Sequence, residues 1–246
     1  MMTNSINISE SGKHEILLAK ESVVSVGEGL SVQILEKNEA HKNFSVKYYI
    51  GKNAKVIHGR IMNSDNHCEI YQNENSSYEL FSLYKSSSND TLNVHLTGKD
   101  SVCDIKSVAF LDKNSSVNAK HTVFHEIDNC KSSQLFKAVL NGKSKSEFRG
   151  NIIVQKNAYQ TEGTQLCKTL LLSDESQMNA VPELSIMNDD VKCSHGNAIG
   201  SLDENAIFYL CSRGLSETEA KELLIDGFVR EIIDLMEQEL GINVQL

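Results

Sequence analysis

Apolar and polar residues alternate in short segments along most of the chain. From residue 16 to about residue 200, Val, Ile, Leu, Phe or Tyr recur at every second position, as in residues 31–34, 93–96 and 148–154. Alternation with a period of two is typical of β-strands that bury one face. Polar turn clusters such as residues 51–53 and 141–142 separate these segments. The pattern therefore predicts many short strands joined by tight polar corners.

A weak internal repeat indicates how these strands are arranged. Similar segments start at residues 27, 51, 73 and 98, which gives spacings of 24, 22 and 25 residues. Each contains a polar turn, then a small residue, then an apolar β residue. Such a period is typical of a β-solenoid, whose coils bury their apolar faces only by stacking on their neighbours. The spacing drifts after residue 110, and a β-sandwich with regular turns is the alternative interpretation.

The last part of the chain has a helical pattern. Asp203 and Glu204 begin a helix that runs through Leu210, and Gly214 is placed to end it. Ser216 and Glu219 then form a capping box for a second helix, which Gly241 ends. This helix carries an apolar face formed by Ala220, Leu223, Leu224, Phe228, Ile232, Leu235 and Met236. The face either packs on the β domain or meets a partner.

Composition restricts the function classes. The chain has 246 residues, of which 40% are hydrophobic and 23% charged, with one proline, no tryptophan, 29 serines and 22 asparagines. So many turn formers fit short strands with polar corners. The net charge of −9 argues against a nucleic-acid binder. No apolar run is long enough to span a membrane, and the polar N-terminus predicts no secretory signal. Six cysteines without a dense framework predict free thiols in a reducing cytoplasm.

Known enzyme motifs are missing from the sequence. Residues 142–144 read Gly-Lys-Ser, like the end of a phosphate-binding loop, but Lys137 stands where the motif needs its first glycine. No helix pattern follows, so we expect no nucleotide to be bound there. Dinucleotide-binding, nucleophile-elbow and zinc-protease patterns do not occur either.

The densest group of reactive side chains is the segment 189–196, with Cys193 and His195 two positions apart. On an extended strand the two side chains point to the same side. A thiolate and an imidazole placed in this way can share iron or zinc, whereas the alternative is a buried thiol beside a hydrogen-bonded histidine. Weaker candidates are the pairs His67–Cys68 and His121–His125. Their apolar surroundings predict core positions for Cys103, Cys130 and Cys211.

Residues 120–240 resemble the SufB/SufD family of iron–sulfur cluster assembly proteins. The similar segments occur in the same order as in the family. They are TLLLS at 169–173, PEL at 182–184, DDVKCSHG at 189–196, GSLDE at 200–204 and FYLCSRG at 208–214. Residues 128–142 and 148–150 also resemble the family's β region. The resemblance is weaker before residue 120.

The resemblance implies a mainly β fold, a right-handed parallel β-helix followed by a small C-terminal helical region. We expect an N-terminal segment at 1–15, the β-helix core at 16–202 and the helical region at 203–246. The implied function is that of a non-enzymatic, cytoplasmic scaffold that dimerises with a second SufB/SufD-type chain through the β-helix. It would bind a SufC-type ABC ATPase through the helices and hold a transient iron–sulfur cluster or iron, without binding nucleotide, nucleic acid or a membrane.

The resemblance also implies roles for individual residues. His195 falls at the family's interface histidine, and Cys193 lies beside it, with Cys167 and Glu183 as further cluster or metal candidates. Ser176 and Gly196 replace a cysteine and a glutamate of the SufB branch, which points to the SufD side. Candidates for binding the ATPase are Phe208, Tyr209, Arg213, Leu224 and Phe228.

Three hypotheses follow. The first is a Suf scaffold that holds the nascent cluster, either as a short member pairing with itself or as half of a heterodimer. The second is a purely structural subunit whose partner chain carries the cluster. The third is a β-solenoid enzyme acting on polysaccharide, which would need carboxylates clustered along one face of the coils. Asp and Glu lie mostly in turns and in the C-terminal helix, which disfavours the third hypothesis.

Overall fold

The computed structural model describes residues 4–18, 21–38 and 43–244. Sixteen strands precede two helices in this part of the chain. The strands are β1 Asn4–Ile8, β2 Gly12–Leu18, β3 Glu21–Val26, β4 Ser31–Asn38, β5 Phe44–Ile50, β6 Lys55–Met62, β7 Asn66–Gln72, β8 Ser77–Tyr84, β9 Ser88–Leu96, β10 Val102–Leu111, β11 Ser116–His125, β12 Lys131–Leu140, β13 Lys145–Val154, β14 Thr161–Leu171, β15 Gln177–Ile186 and β16 Val191–Gly200. The helices are α1 Glu204–Ser212 and α2 Glu217–Leu240.

The strands form two parallel sheets of eight. One sheet contains all the odd-numbered strands and the other all the even-numbered strands, each in chain order. Every strand therefore pairs with the strand two positions before or after it, and one coil contributes one strand to each sheet. Parallel strands connected in this way form a right-handed β-helix. The predicted solenoid is confirmed, and the β-sandwich alternative is wrong.

The sequence repeat corresponds to one corner of the β-helix. Residues with left-handed backbone conformation occupy this corner in successive coils, namely Asn53, Asn75, Asp100, Asn129 and Gln160. Asparagine and aspartate adopt this conformation more readily than most residues. The Asn75 side-chain amide also donates to Asn53 Oδ1 at 2.8 Å, across 22 residues of sequence. The corner is thus built as a ladder along the molecule.

The drift of the repeat after residue 110 has a simple geometric cause. Corner residues that are hydrogen-bonded one coil apart are separated by 22 residues at Asn53 and Asn75, by 29 residues at Asp100 and Asn129, and by 32 residues at Lys156 and Asn188. Strands lengthen in parallel, from 5 residues in β1 to 10 in β15 and β16. The coils therefore widen toward the C-terminal end of the β-helix.

Gly98 lies where two neighbouring corners approach most closely. A Cβ atom at this position would lie 1.9 Å from the backbone nitrogen of Glu74 in the preceding coil. Hydrogen bonds from the backbone N–H groups of Thr97 and Gly98 to the Gln72 carbonyl, at 3.1 and 3.0 Å, hold the two corners together. Only glycine fits without moving the backbone.

We expect Gly98→Ala to lower the free energy of unfolding by about 2 kcal/mol, because the added methyl group meets backbone rather than a movable side chain. Urea denaturation measures the change. Gly200→Ala is the matched control, since a Cβ at Gly200 meets nothing within 4 Å. Equal midpoints for the two variants would contradict this account of the corner.

The first two strands extend the β-helix to residues before the expected boundary at residue 16. β1 pairs with β3, and β2 pairs with β4. Most side chains of β1 are exposed, so the hydrophobic signal for a strand is weak there. Residues 1–3 of the expected N-terminal segment lie outside the described residues.

Both C-terminal helices are confirmed at their predicted ends. Asp203 caps α1, Ser216 and Glu219 form the capping box of α2, and Gly241 ends α2 in left-handed conformation. α2 packs its apolar side on the outer face of the even-numbered sheet, through Val229, Ile232, Ile233, Met236 and Leu240. No helix in the described part of the chain is long and apolar enough to cross a membrane.

Polar contacts fix α2 to the sheet near its middle and at its C-terminal end. Lys137 on β12 is buried, and its Nζ donates to the Phe228 carbonyl at 2.8 Å and to Glu231 Oε2 at 2.7 Å. At the C-terminal end of the helix, Lys13 on β2 donates to the Leu240 carbonyl at 3.2 Å. The predicted apolar face of α2 therefore serves mainly for packing.

The interior of the β-helix contains charged groups as well as an apolar core. The guanidinium of Arg60 on β6 donates to both oxygens of Asp90 on β9, at 3.2 and 2.7 Å, and its Nε donates to Ser82 Oγ at 2.8 Å. Tyr84 also donates its hydroxyl to Asp90. Both members of the ion pair are fully buried. Every charge here has a partner, as a buried ion pair requires.

Candidate functional site

The C-terminal coil, formed by β15 and β16, leaves one end of the β-helix open. Among the described residues, β15 pairs only with β13 and β16 pairs only with β14. The other edge of each strand therefore presents backbone groups that can pair with another chain. The side chains of β15 and β16 that point to the interior are accessible, because no further coil covers them as it does in the earlier coils.

Cys193 and His195 both lie on β16 and point to the same side, as the sequence predicts, and that side is the open interior. In register they pair with Gly163 and Gln165 of β14, both of which are buried. Cys193 is half-buried against Ile152, Val154 and Ala158, whereas His195 is exposed. Burial raises the pKa of the Cys193 thiol, and a hydrogen bond from the Gly163 backbone N–H offsets part of the increase. The thiol is therefore mainly protonated until a cation replaces its proton.

Cys167 lies in the coil beneath, on the inner face of β14. Its side chain is buried with Phe136, Phe148 and Met178, and its register partner on β16 is Asn197 rather than Cys193. Burial raises the pKa of the Cys167 thiol to about 11. This thiol is thus less accessible than Cys193, and it lies further along the strand.

Glu183 does not join the other candidates. It lies on β15, on the outer face of the odd-numbered sheet, where its Oε1 accepts from Arg149 Nη1 at 3.4 Å. Successive residues of a strand point to opposite faces, so Pro182 rather than Glu183 faces the interior. The structure therefore places Glu183 apart from Cys193 and His195.

One chain supplies only part of a metal site at the open end. Cys193 and His195 offer sulfur and nitrogen donors, which suit iron and iron–sulfur clusters. In the described ranges, however, no three His, Cys, Asp or Glu residues are grouped so that they could hold a metal ion. The donors of one chain fit a cluster in kind but not in number.

Two glutamines lie next to the site, and the sequence analysis gave neither of them a role, although Gln165 begins the segment that resembles the family most. Gln134 on β12, Gln165 on β14 and His195 on β16 are register partners in neighbouring strands of the even-numbered sheet. Both glutamines are buried. Their separation by one coil would predict that they are neighbours, but only once the length of the wider coils is known.

The helical region has a second concave surface. A cavity of about 770 Å³ lies between α1, the first turns of α2 and the ends of β12 and β14, lined in part by Leu171, Ile207, Phe208 and Ile225. Phe208 is 76% exposed. Tyr209 is also exposed, and the Arg213 guanidinium lies 5.2 Å from its ring centroid.

The other predicted residues of the helices lie closer to the sheet. Leu224 is half-buried, and Phe228 packs with α2 against the sheet, with Lys137 Nζ 5.4 Å from its ring centroid. Cys211 was expected in the core, but it is only half-buried, because it lines the cavity between the helices and the strand ends. Cys103 and Cys130 are buried as predicted. The weaker candidates His121 and His125 are buried in the interior as well.

Comparisons with known proteins give one consistent result. Residues 7–228 match the family model described as SUF system FeS cluster assembly, SufBD core domain. The chain is 34% identical over 151 residues to the iron-sulfur cluster assembly protein SufD of Escherichia coli, which covers 61% of this chain and 36% of that protein. It is 31% identical over 206 residues to an iron-sulfur cluster assembly SufBD family protein of Synechocystis, covering 78% of this chain and 44% of that protein.

A chloroplastic SufBD family protein of Arabidopsis thaliana aligns along nearly the whole chain. The identity is 25% over 260 aligned positions, which cover 97% of this chain and 46% of the plant protein. The chain thus spans less than half the length of each of these three relatives.

Proposed function

Since the chain belongs to the SufB/SufD family of iron–sulfur cluster assembly proteins, we propose that it is a scaffold subunit of a Suf-type complex and not an enzyme itself. The open C-terminal coil carries the proposal, because it combines exposed strand edges with a cysteine and a histidine on the same inner face. The nascent iron–sulfur cluster is the cargo of this site rather than a resident cofactor.

The proposed dimer forms through the open coil. β15 and β16 each offer a ten-residue edge to a second SufB/SufD-type chain. Ile186, Met187 and Ile199 are large apolar residues exposed at this end, and a partner would remove them from water. In a symmetric pair, each chain contributes Cys193 and His195, which doubles the number of donors at the interface.

The proposed docking site for a SufC-type ATPase is the cavity at α1, which Phe208 lines, together with the neighbouring exposed Tyr209. Exposed aromatic residues beside a concave surface are the usual anchors of protein interfaces. Phe228 and Leu224 contribute indirectly in this proposal, because they hold α2 against the sheet.

We expect Phe208→Ser to weaken ATPase binding by about 2 kcal/mol, or roughly 30-fold, because it removes an exposed aromatic anchor. Co-expression followed by anaerobic co-purification and mass determination measures the complex. Tyr159→Ser is the matched control, since Tyr159 is an exposed aromatic residue between β13 and β14, away from the helices. If both variants retain the ATPase equally, docking does not occur at α1.

We expect Cys193→Ser and His195→Ala to lower the iron retained after anaerobic reconstitution, because each removes one of the few donors at the open end. Iron and sulfide analysis of the purified complex provides the measurement, and Cys130→Ser is the control for loss of a thiol elsewhere, since a hydroxyl can keep the hydrogen bonds of its Sγ to Ser101 and the Gly98 carbonyl.

A second candidate function is that of a purely structural subunit. The raised pKa of the Cys193 thiol favours it, as do Ser176 and Gly196, which replace a cysteine and a glutamate of the SufB branch. Unchanged iron content in both site variants would support this candidate and assign the cluster to the partner chain.

A further inference from the structure

A column of polar side chains lies directly beneath His195 in the interior. Gln134 of β12 pairs in register with Gln165 of β14, and Gln165 pairs with His195 of β16. By register and strand alternation, the three side chains lie on the inner face of the even-numbered sheet. In the preceding coil, the register partner of Gln134 is the apolar residue Ile105 on β10. The run of polar side chains therefore begins at Gln134, two coils before the open end.

One hydrogen bond fixes the orientation of the Gln134 amide group. Gln134 Nε2 donates to the backbone carbonyl of Asn151 at 3.2 Å. A carbonyl oxygen can only accept, so the side-chain nitrogen of Gln134 must be the atom that faces it. The Gln134 Oε1 atom is then the free group, and it is buried without a hydrogen-bond partner among the described residues.

Gln165 lies in the same part of the interior with both of its polar atoms unpartnered. The residue is 2% exposed, and neither Nε2 nor Oε1 has a hydrogen-bond partner within the described ranges. The amide packs on Gly150, where an added Cβ would lie only 1.7 Å from Nε2. Gly150 precedes Asn151 on β13, so both glutamine amides reach across the interior to the same point. A buried, unpaired amide destabilises a protein by about 1–3 kcal/mol per group, so a partner is expected.

We propose that Gln165 is a positioning residue that connects Gln134 to His195. Gln165 Nε2 donates to Gln134 Oε1, and Gln165 Oε1 accepts from the ring N–H of His195. Together the two bonds satisfy all three unpartnered atoms. The direction of both bonds follows from the Gln134–Asn151 bond. Because Gln134 uses its amide nitrogen to donate to Asn151, its oxygen is left to accept from Gln165.

The column sets the chemical state of His195. The inward ring nitrogen carries the proton, and the outward nitrogen presents its lone pair to the open end of the β-helix. A second partner that holds one ring nitrogen of a metal-binding histidine orients the ring and selects its tautomer. The inference rests on the proposed role of His195 in cluster assembly, but the link itself is measured without iron.

The test is ¹⁵N NMR of the full chain labelled at histidine, at about pH 8.5, where an exposed imidazole is neutral. A His195→Gln variant identifies the His195 resonances. We expect one dominant tautomer in the wild type and about a tenfold change in the tautomer ratio in Gln165→Leu, as the loss of one hydrogen bond predicts. Gly150→Ala keeps the glutamine but displaces its amide, and should change the ratio in the same direction.

Two further variants separate positioning from general stability. Thr169→Val removes another buried, unpartnered polar group from the inner face of β14 and should leave the His195 ratio unchanged. If Gln165→Leu does not fold, Gln165→Glu keeps the acceptor oxygen, and we expect it to preserve the wild-type tautomer.

The proposal is overturned if folded Gln165→Leu, or folded Gly150→Ala, shows the wild-type ratio, because an ordered water would then satisfy the amide instead. It is overturned equally if Gln165→Glu loses the wild-type tautomer. A tautomer that depends on Gln165, together with normal iron content in His195→Ala, would leave the column intact and remove only the proposed cluster role.

Discussion

Asp90→Ala is expected to lower the free energy of unfolding by about 3–5 kcal/mol, because it leaves the Arg60 guanidinium buried without its counter-charge. Neither side chain of the pair is exposed. Burial acts to raise the pKa of Asp90, but Arg60 and His121 outweigh it and hold this pKa well below its usual value. The carboxylate is therefore charged at any pH at which the protein is used, and its removal breaks a fully ionised network.

Urea denaturation at neutral pH measures this loss. The control is Glu74→Ala, which removes an exposed ion pair with Lys52 and should cost less than about 1 kcal/mol. The double variant Arg60→Met/Asp90→Leu removes both charges and should recover much of the loss. A cost below about 1 kcal/mol for Asp90→Ala would show that the buried pair is not the stabilising element described above.

The second large effect is expected in mild acid. His58, His121 and His125 are buried, and burial lowers the pKa of each, that of His125 to about 4. In the unfolded chain a histidine binds its proton near pH 6.5. Between about pH 6.5 and pH 4 the unfolded state therefore binds more protons than the folded state, and stability falls as the pH falls. His125 alone accounts for about 3 kcal/mol over this range.

Unfolding free energies measured at about pH 7 and pH 4 test this expectation. His125→Gln cannot be protonated in this range, yet it can still hydrogen-bond to Ser132 Oγ, which lies 2.8 Å from His125 Nε2. The variant should lose about 3 kcal/mol less stability between the two pH values than the wild type. His67→Gln, at an exposed site, is the control. Parallel pH profiles for the wild type and His125→Gln would falsify the assignment.

Local patterns in the sequence predicted the strands, the corners and both helices, whereas the choice of a β-helix over a β-sandwich came from the resemblance to the SufB/SufD family. The corner that contains Asn53, Asn75 and Asp100 repeats because one left-handed residue is needed in every coil, so the spacing of the turns reports the coil length. The capping box at Ser216 and Glu219 predicts the start of α2 for the same reason, since both residues act within one turn of chain. Interactions of this range are visible in a single sequence.

The arrangement of the site could be predicted only in part. The common face of Cys193 and His195 follows from the strand period, but the outward position of Glu183 depends on the register of β15. The Arg60–Asp90 pair joins two sheets across 30 residues, and Gln134, Gln165 and His195 meet only because the late coils are wider. Predicting such contacts requires the coil length and the strand register. The irregular repeat after residue 110 provides neither.

The fixation of α2 at its middle and at its C-terminal end has a mechanical consequence. Strand pairing alone connects only adjacent coils, so a bare β-helix can unfold one coil at a time from either end. α2 crosses the even-numbered sheet and joins Lys137 on β12 to Lys13 on β2, through a contact with Leu240 that spans 227 residues of sequence. The helix thus couples the coils into one cooperative unit. A load applied to the helical region would be shared along the β-helix instead of peeling away its last coil.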